Sequence, residues 1–180
     1  FPAAYDNCPI GSISDFSCFS FYATKTITTG EGGMLTLRDA RLADRLRQLR
    51  LHGISKDAWK RYTAAGSWVY DVLEPGFKYN LTDTAAALGR GQLAKAEDMQ
   101  RERERLALRY QQGFAALAGV DTIKQLPNRR SALHLYPLLL NEGFYSINRD
   151  QLIDELKKRG IGSSVHFIPL YRFTAYKGGY

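Results

Sequence analysis

Lys25 stands where a lysine can do covalent chemistry. It closes the run Ser20-Phe21-Tyr22-Ala23-Thr24-Lys25, and Thr26-Ile27-Thr28-Thr29 leads from it into Gly30-Glu31-Gly32-Gly33. A lysine amine forms a Schiff base with a carbonyl when a rigid support holds it beside that carbonyl. The aromatic stretch before Lys25 offers such a support, and the glycines after it permit a tight return turn. The hydroxyls of Ser20, Thr24, Thr28 and Thr29 are suited to hydrogen-bond a phosphate. A phosphate loop of the Walker type is excluded, because the glycines follow the lysine and positions 19 and 24 are Phe and Thr. Most lysines beside glycines are surface residues on a hairpin, so the spacing alone leaves both readings open.

The elements that must position this lysine are read from periodicity. Residues 15–22 are aromatic-rich with rough alternation and predict a short buried strand, and Met34-Leu35-Thr36-Leu37 predicts a second that pairs with it across the glycine-rich turn. A helix is predicted from about Ala40 to Leu51, with Leu42, Leu46 and Leu49 on one stripe and Gly53 as its stop. Residues 55–80 lack a period. They carry Trp59, Tyr62, Trp68 and Tyr70 among turn signals at Gly66, Pro75 and Gly76, and a long aromatic-bearing loop of this kind is more often functional than idle. Thr82-Asp83 caps a helix whose first turns are small (Ala85, Ala86, Ala87, Gly89, Gly91), which suits close packing against a sheet or a second subunit. A further helix is predicted over residues 94–117, with Leu106, Tyr110, Phe114 and Leu117 on its apolar face. The last third reads as strand 132–140, a helix opened by the capping box Asn148-Arg149-Asp150-Gln151 with Leu152, Ile153 and Leu156 inward, a C-cap at Gly160, and strand 163–168. Strand, helix and strand in that order make a small α+β or βαβ element. The Gly119 and Pro127 connections place a boundary that divides the chain into domains 1–118 and 119–180.

Composition narrows the class. The 180 residues are 44% hydrophobic and 24% charged, with 16 Gly and 6 Pro, the proportions of an ordinary globular protein. No apolar run approaches the length of a membrane span, and no basic-then-apolar segment opens the chain. Cys8 and Cys18 are too few for a disulfide framework and read as reduced thiols of a cytoplasmic protein. The net charge of +7 raises nucleic acid as a partner. However, Arg38, Arg41, Arg45, Arg47 and Arg50 alternate with leucines, and Arg101-Glu102-Arg103-Glu104-Arg105 carries its own counter-charges. These are solvated helix faces, and nucleic acid is set aside as a partner.

Several segments, in order along nearly the whole chain, resemble the DegT/DnrJ/StrS family of sugar aminotransferases. The first is Phe19-Ser20-Phe21-Tyr22-Ala23-Thr24-Lys25-Thr26-Ile27-Thr28-Thr29-Gly30-Glu31-Gly32-Gly33-Met34. It is followed by Leu49-Arg50-Leu51-His52-Gly53, by Glu74-Pro75-Gly76-Phe77-Lys78-Tyr79-Asn80-Leu81-Thr82-Asp83, by Gly160-Ile161 and by His166-Phe167-Ile168-Pro169-Leu170. The Glu74 to Asp83 segment is most like the branch that makes UDP-4-amino-4-deoxy-L-arabinose.

The resemblance implies an α/β protein, a fold-type I transferase dependent on pyridoxal 5'-phosphate (PLP), of which this chain holds part of the large domain and an incomplete α+β C-terminal small domain. It implies that Lys25 forms the Schiff base with PLP and moves the proton of the transamination. Ser20 matches the serine that hydrogen-bonds the cofactor phosphate, and Asn80 the asparagine that reaches the phosphate in the neighbouring subunit of a homodimer. Tyr79 and His166 match positions near the sugar-nucleotide pocket; read as residues alone, they fit a buried aromatic and an imidazole at a strand end. The implied reaction transfers an amino group, with glutamate as donor, to a keto group of a nucleotide-diphosphate sugar. No metal is implied.

Two departures bear on activity. The family's chains are about twice as long, and the motif carrying the acid that pairs with the pyridine nitrogen precedes the lysine in them. Asp6 and Asp15 lie too close to Lys25 in sequence to replace it. The chain is therefore expected to be an internal fragment that holds about half of the active site. The rival readings are a PLP-dependent dehydratase, which Lys25 opposes because those members carry His at that position, and a non-catalytic remnant that keeps the fold.

Overall fold

The structure, a computed structural model, describes residues 1–55, 69–141 and 143–177. Trp59, Tyr62, Gly66 and Trp68 lie outside the described residues. In chain order the strands are β1 (Ala4–Tyr5), β2 (Cys8–Pro9), β3 (Phe16–Ser20), β4 (Gly33–Leu37), β5 (Val120–Thr122), β6 (Arg129–Arg130) and β7 (Leu138–Leu140). The helices are α1 (Ala40–Leu49), α2 (Asp83–Ala94), α3 (Ala96–Phe114) and α4 (Arg149–Lys158), with two 3-10 turns at Leu170–Arg172 and Thr174–Tyr176. The chain forms two compact units, Phe1–Tyr110 with Lys124–Tyr136, and Gln111–Ile123 with Pro137–Tyr180.

In the first unit, β3 and β4 form an antiparallel ladder running from Phe16 opposite Leu37 to Ser20 opposite Gly33. The expected pairing across the glycine turn is present, but the strand is not buried. Only Ser17 and Phe19 of β3 turn inward, because among the described residues β4 is the one strand that pairs with it. A second small sheet has the order β2-β1-β6. Helix α1 starts at Asp39, whose carboxylate accepts from the Arg41 and Leu42 amides at 2.8 and 3.3 Å. Beyond α1 the chain turns through left-handed His52 and Gly53 (φ 59° and 71°). Thr82 caps α2 by accepting from the Ala85 amide at 3.2 Å. Its inward residues, Ala85, Gly89 and Gln92, continue into Ala96 of α3 at helical spacing.

Helix α3 departs from expectation. Of the expected apolar face only Phe114 turns inward; Leu106 and Tyr110 are exposed, as is Leu117 beyond the helix end, and the other inward residues are Ala96, Met99, Gln100, Arg103, Glu104 and Ala107. Hydrogen bonding to the segment that carries β6 decides this. The fully buried Gln100 donates to the Ser131 carbonyl at 2.8 Å and to Glu104 at 3.0 Å, and accepts from Arg103 at 2.9 Å. Arg103 also donates to the Ala132 carbonyl at 3.0 Å, and Arg130 binds Glu104 at 2.8 Å and Glu97 at 3.1 Å. A buried amide with all these partners carries no desolvation debt. On the solvent side Asp98 pairs with Arg101 and Glu102 with Arg105, as the alternating charges predict.

In the second unit β5 pairs antiparallel with β7, from Val120 opposite Leu140 to Thr122 opposite Leu138. The expected strand 132–140 is thus confined to its last three residues. Left-handed Leu133 (φ 49°) interrupts the extended run. Helix α4 has the predicted capping box: Asn148 accepts from the Gln151 amide at 2.9 Å, and Gln151 accepts from the Asn148 amide at 2.8 Å. It ends as predicted at Gly160 (φ 74°). The Gly160 amide bonds the Lys157 carbonyl and the Ile161 amide the Leu156 carbonyl, the paired closure of a Schellman turn. Leu152, Ile153 and Leu156 lie on its inner side. The expected strand 163–168 does not form, since a strand exists through pairing and these residues are exposed without a ladder. Among the described residues no helix is long and apolar enough to cross a membrane.

Candidate active site

The site is built around the loop that joins β3 to β4. Its amides and carbonyls close on themselves: Phe21 N–H donates to the Gly32 carbonyl at 2.8 Å, Thr29 N–H to the Phe21 carbonyl at 3.0 Å, and Lys25 N–H to the Tyr22 carbonyl at 2.9 Å. Ile27 and Thr29 are buried, whereas Ser20, Thr24 and Lys25 are exposed. The two buried residues that follow the lysine anchor the loop backbone and leave Lys25 exposed.

The hydroxyls divide into two groups. Thr28 donates to the Phe21 carbonyl at 2.9 Å and accepts from the Gly30 amide at 2.9 Å, and Thr29 donates to the Glu31 carbonyl at 2.6 Å. These two are committed to the turn and are not the phosphate donors their type suggests. The Ser20 hydroxyl oxygen accepts from the Tyr22 amide at 3.3 Å, which leaves its proton to be donated.

The second element of the site packs against this loop. A Cβ added to Gly32 (φ 154°) would lie 2.5 Å from Thr29 Oγ1 and 2.9 Å from Leu81 Cδ1, and one added to Gly89 would lie 2.9 Å from Thr29 Cγ2. Both glycines therefore record close approach between the lysine loop and the segment that enters α2. Gly89 in the small-residue stripe signalled this in the sequence; its partner did not show there. Asn80, adjacent to Leu81, is half-buried, and its Oδ1 accepts from Lys78 Nζ. With that oxygen taken, Asn80 presents its amide N–H, the polarity a phosphate requires. Lys78, which spacing did not single out, sets this orientation. Tyr79 is 74% exposed and stacks on Phe77 with ring centroids 5.0 Å apart and planes 10° from parallel. It is not the buried aromatic of the simpler reading.

The structure thus brings Ser20, Lys25 and the Tyr79-Asn80 pair into the first unit. His166 belongs to the second unit, exposed, its ring 4.2 Å from that of Phe167. Cys8 and Cys18 are both free and exposed. Among the described residues no group of three or more His, Cys, Asp or Glu could hold a metal ion.

Lys25 thus stands exposed on a hydrogen-bonded hairpin that packs against α2, a placement an ordinary surface lysine shares, and comparison with known proteins supplies the class. Residues 1–180 match the DegT/DnrJ/EryC1/StrS aminotransferase family, and the chain belongs to it. It is 48% identical over 174 residues to the spore coat polysaccharide biosynthesis protein SpsC of Bacillus subtilis, covering 96% of this chain and 45% of that protein. It is 36% identical over 179 residues to a UDP-4-amino-4-deoxy-L-arabinose–oxoglutarate aminotransferase of Shewanella sediminis, covering 98% and 45%. Among solved structures it superposes on the PLP form of the sugar aminotransferase Spr1654 of Streptococcus pneumoniae with a TM-score of 0.84 and 36% identity, over 97% of this chain and 43% of that one. The fold is therefore α/β, that of the fold-type I aminotransferases, of which this chain carries a part. It spans less than half the length of these relatives.

Proposed function

We propose that the chain is the lysine-bearing segment of a PLP-dependent aminotransferase, about twice its length, that aminates a keto group of a nucleotide-diphosphate sugar. Glutamate is the proposed donor, a homodimer the proposed assembly and the cytoplasm the proposed location. The observation that carries the reading is Lys25 itself, exposed on a closed hairpin whose loop packs against the Asn80 segment.

The donor set fits the aldehyde and phosphate of PLP: an exposed primary amine, a serine hydroxyl with its proton free, and an asparagine presenting N–H. When bound, PLP would supply the electron-withdrawing ring that such a transfer needs. Lys25 would supply the amine that holds the cofactor aldehyde, and as a free amine it would be the group placed to take up and return a proton. Ser20 and Asn80 would donate to the phosphate, Asn80 to that of the neighbouring subunit. Tyr79 offers an exposed aromatic face and His166 a ring nitrogen to the sugar nucleotide.

The test uses the full-length protein. Added PLP is expected to give a visible absorbance band, and borohydride followed by peptide mapping is expected to leave the pyridoxyl group on Lys25. A UDP- or dTDP-linked keto-sugar with glutamate then yields 2-oxoglutarate. Cofactor bound elsewhere, or no band at all, would overturn the reading in favour of a non-catalytic protein that keeps the fold.

A further inference from the structure

Residues 71–79 contain no helix or strand, yet they deliver Tyr79 and Asn80 to the site. What holds them is the end of α1. Phe77 N–H donates to the Leu49 carbonyl at 2.6 Å, Tyr79 N–H to the Arg50 carbonyl at 2.8 Å, His52 N–H to the Phe77 carbonyl at 2.9 Å and Leu73 N–H to the Gly53 carbonyl at 2.9 Å. Leu51 and Lys78 meet as an isolated antiparallel bridge, and Ile54 and Val72 as another. Between these bonds the two backbones cross with no room for a side chain. A Cβ on Gly53 would stand 1.8 Å from the Glu74 carbonyl oxygen, and one on Gly76 would stand 2.2 Å from the Gly53 nitrogen and 2.7 Å from the Leu49 oxygen. Both glycines are required by contact with backbone, which cannot give way.

One side-chain pair spans the same crossing. Arg45, on α1, donates from Nε and Nη2 to the two carboxylate oxygens of Glu74 at 3.1 and 2.9 Å. The hydrogen bond from Arg45 holds the Glu74 carboxyl below the usual glutamate range. A solvent-exposed pair adds little to global stability, but a two-bond fork fixes direction as well as distance. On its other side the segment is fixed by Leu81 against Gly32.

The geometry points to Arg45 and Glu74 as positioning residues. With the Gly53 and Gly76 crossing, they hold residues 74–80 on α1 and thereby set where Tyr79 and Asn80 stand. The consequence for cofactor binding rests on the role of Asn80 proposed above; the hold itself does not.

Two readouts on the full-length protein separate these. In Glu74→Gln, amide hydrogen exchange over residues 71–80 is expected to quicken about twofold to fivefold while α2 and α3 keep their protection. The swap Arg45→Glu with Glu74→Arg is expected to restore protection, and Arg45→Lys with Glu74 kept, which offers one donor group in place of a fork, to retain it only in part. Unchanged exchange in Glu74→Gln, or loss of protection that the swap does not recover, would overturn the inference. Fluorescence titration of PLP reads the second link. Glu74→Gln is expected to weaken PLP binding with rescue by the swap, as Asn80→Ala weakens it without rescue. If Asn80→Ala binds PLP normally, the role of Asn80 fails and the exchange data alone decide the hold.

Discussion

Residues 16–37 and residues 161–177 are both rich in aromatic side chains, and both carry a residue proposed for the site, Lys25 in one and His166 in the other. They are built in different ways. In the first, a five-residue ladder and a turn closed by threonine hydroxyls satisfy the backbone within the span, with Ile27 and Thr29 buried beneath. In the second there is no ladder, only two 3-10 turns, and Phe167, Leu170 and Tyr171 are 77%, 66% and 69% exposed. A segment whose polar groups pair within itself and whose apolar residue is covered stands on its own contacts. A segment that exposes its apolar side chains takes its working geometry from whatever covers them.

The comparison can be broken by substitution in the full-length protein. The largest expected effect is on chemistry: Lys25→Ala lowers turnover by at least about 10³-fold, measured as 2-oxoglutarate released, while the melting temperature holds. Next, Ile27→Ala, which opens the covered side of the lysine loop, is expected to cost about 2–4 kcal/mol by urea denaturation. In the second unit Asn148→Ala removes one arm of the capping box and is expected to cost about 1 kcal/mol in the same assay. Phe167→Ser in the exposed segment is expected to change stability by less than about 0.5 kcal/mol. A cost for Phe167→Ser as large as that for Ile27→Ala would show that residues 161–177 are covered in the assembled protein.

Acid sharpens a further contrast within the first unit. The hydrogen bond from Arg130 holds the Glu104 carboxyl below the ordinary glutamate range. A carboxyl whose pKa is depressed by folding contributes stability above its unfolded value and loses it as pH falls through the folded value. Exchange protection over residues 129–132 is therefore expected to be full near neutrality and to be lost only as pH falls below the ordinary glutamate range. The β3–β4 turn, cross-linked by hydroxyls and amides, is expected to keep its protection over the same fall.

Much of the fold was legible because its signals are local. Thr82 ahead of a small-residue helix, the Asn148 to Gln151 box and Gly160 after Leu156 each act within a turn or two of chain, and each appears where its chemistry predicts. The failures lie where a partner far along the chain decides. Leu106 and Tyr110 carry the stronger apolar signal on α3, but Gln100 and Arg103 face inward because the carbonyls of Ser131 and Ala132 receive them. Residues 163–168 have strand-like composition and no ladder to join. Thr28 and Thr29 have the right donors for a phosphate, and the turn itself uses them.

Taken by itself, the sequence determined the lysine, its family and the local caps, since these rest on residue types a few positions apart. Only the tertiary structure decided that Leu81 closes on Gly32 and Gly89 on Thr29, and that residues 74–80 cross the end of α1 through two glycines. The physical reason is range. A cap or a turn is chosen by the backbone groups it can reach, whereas a close approach between segments about twenty to sixty residues apart is chosen by packing that no local pattern encodes.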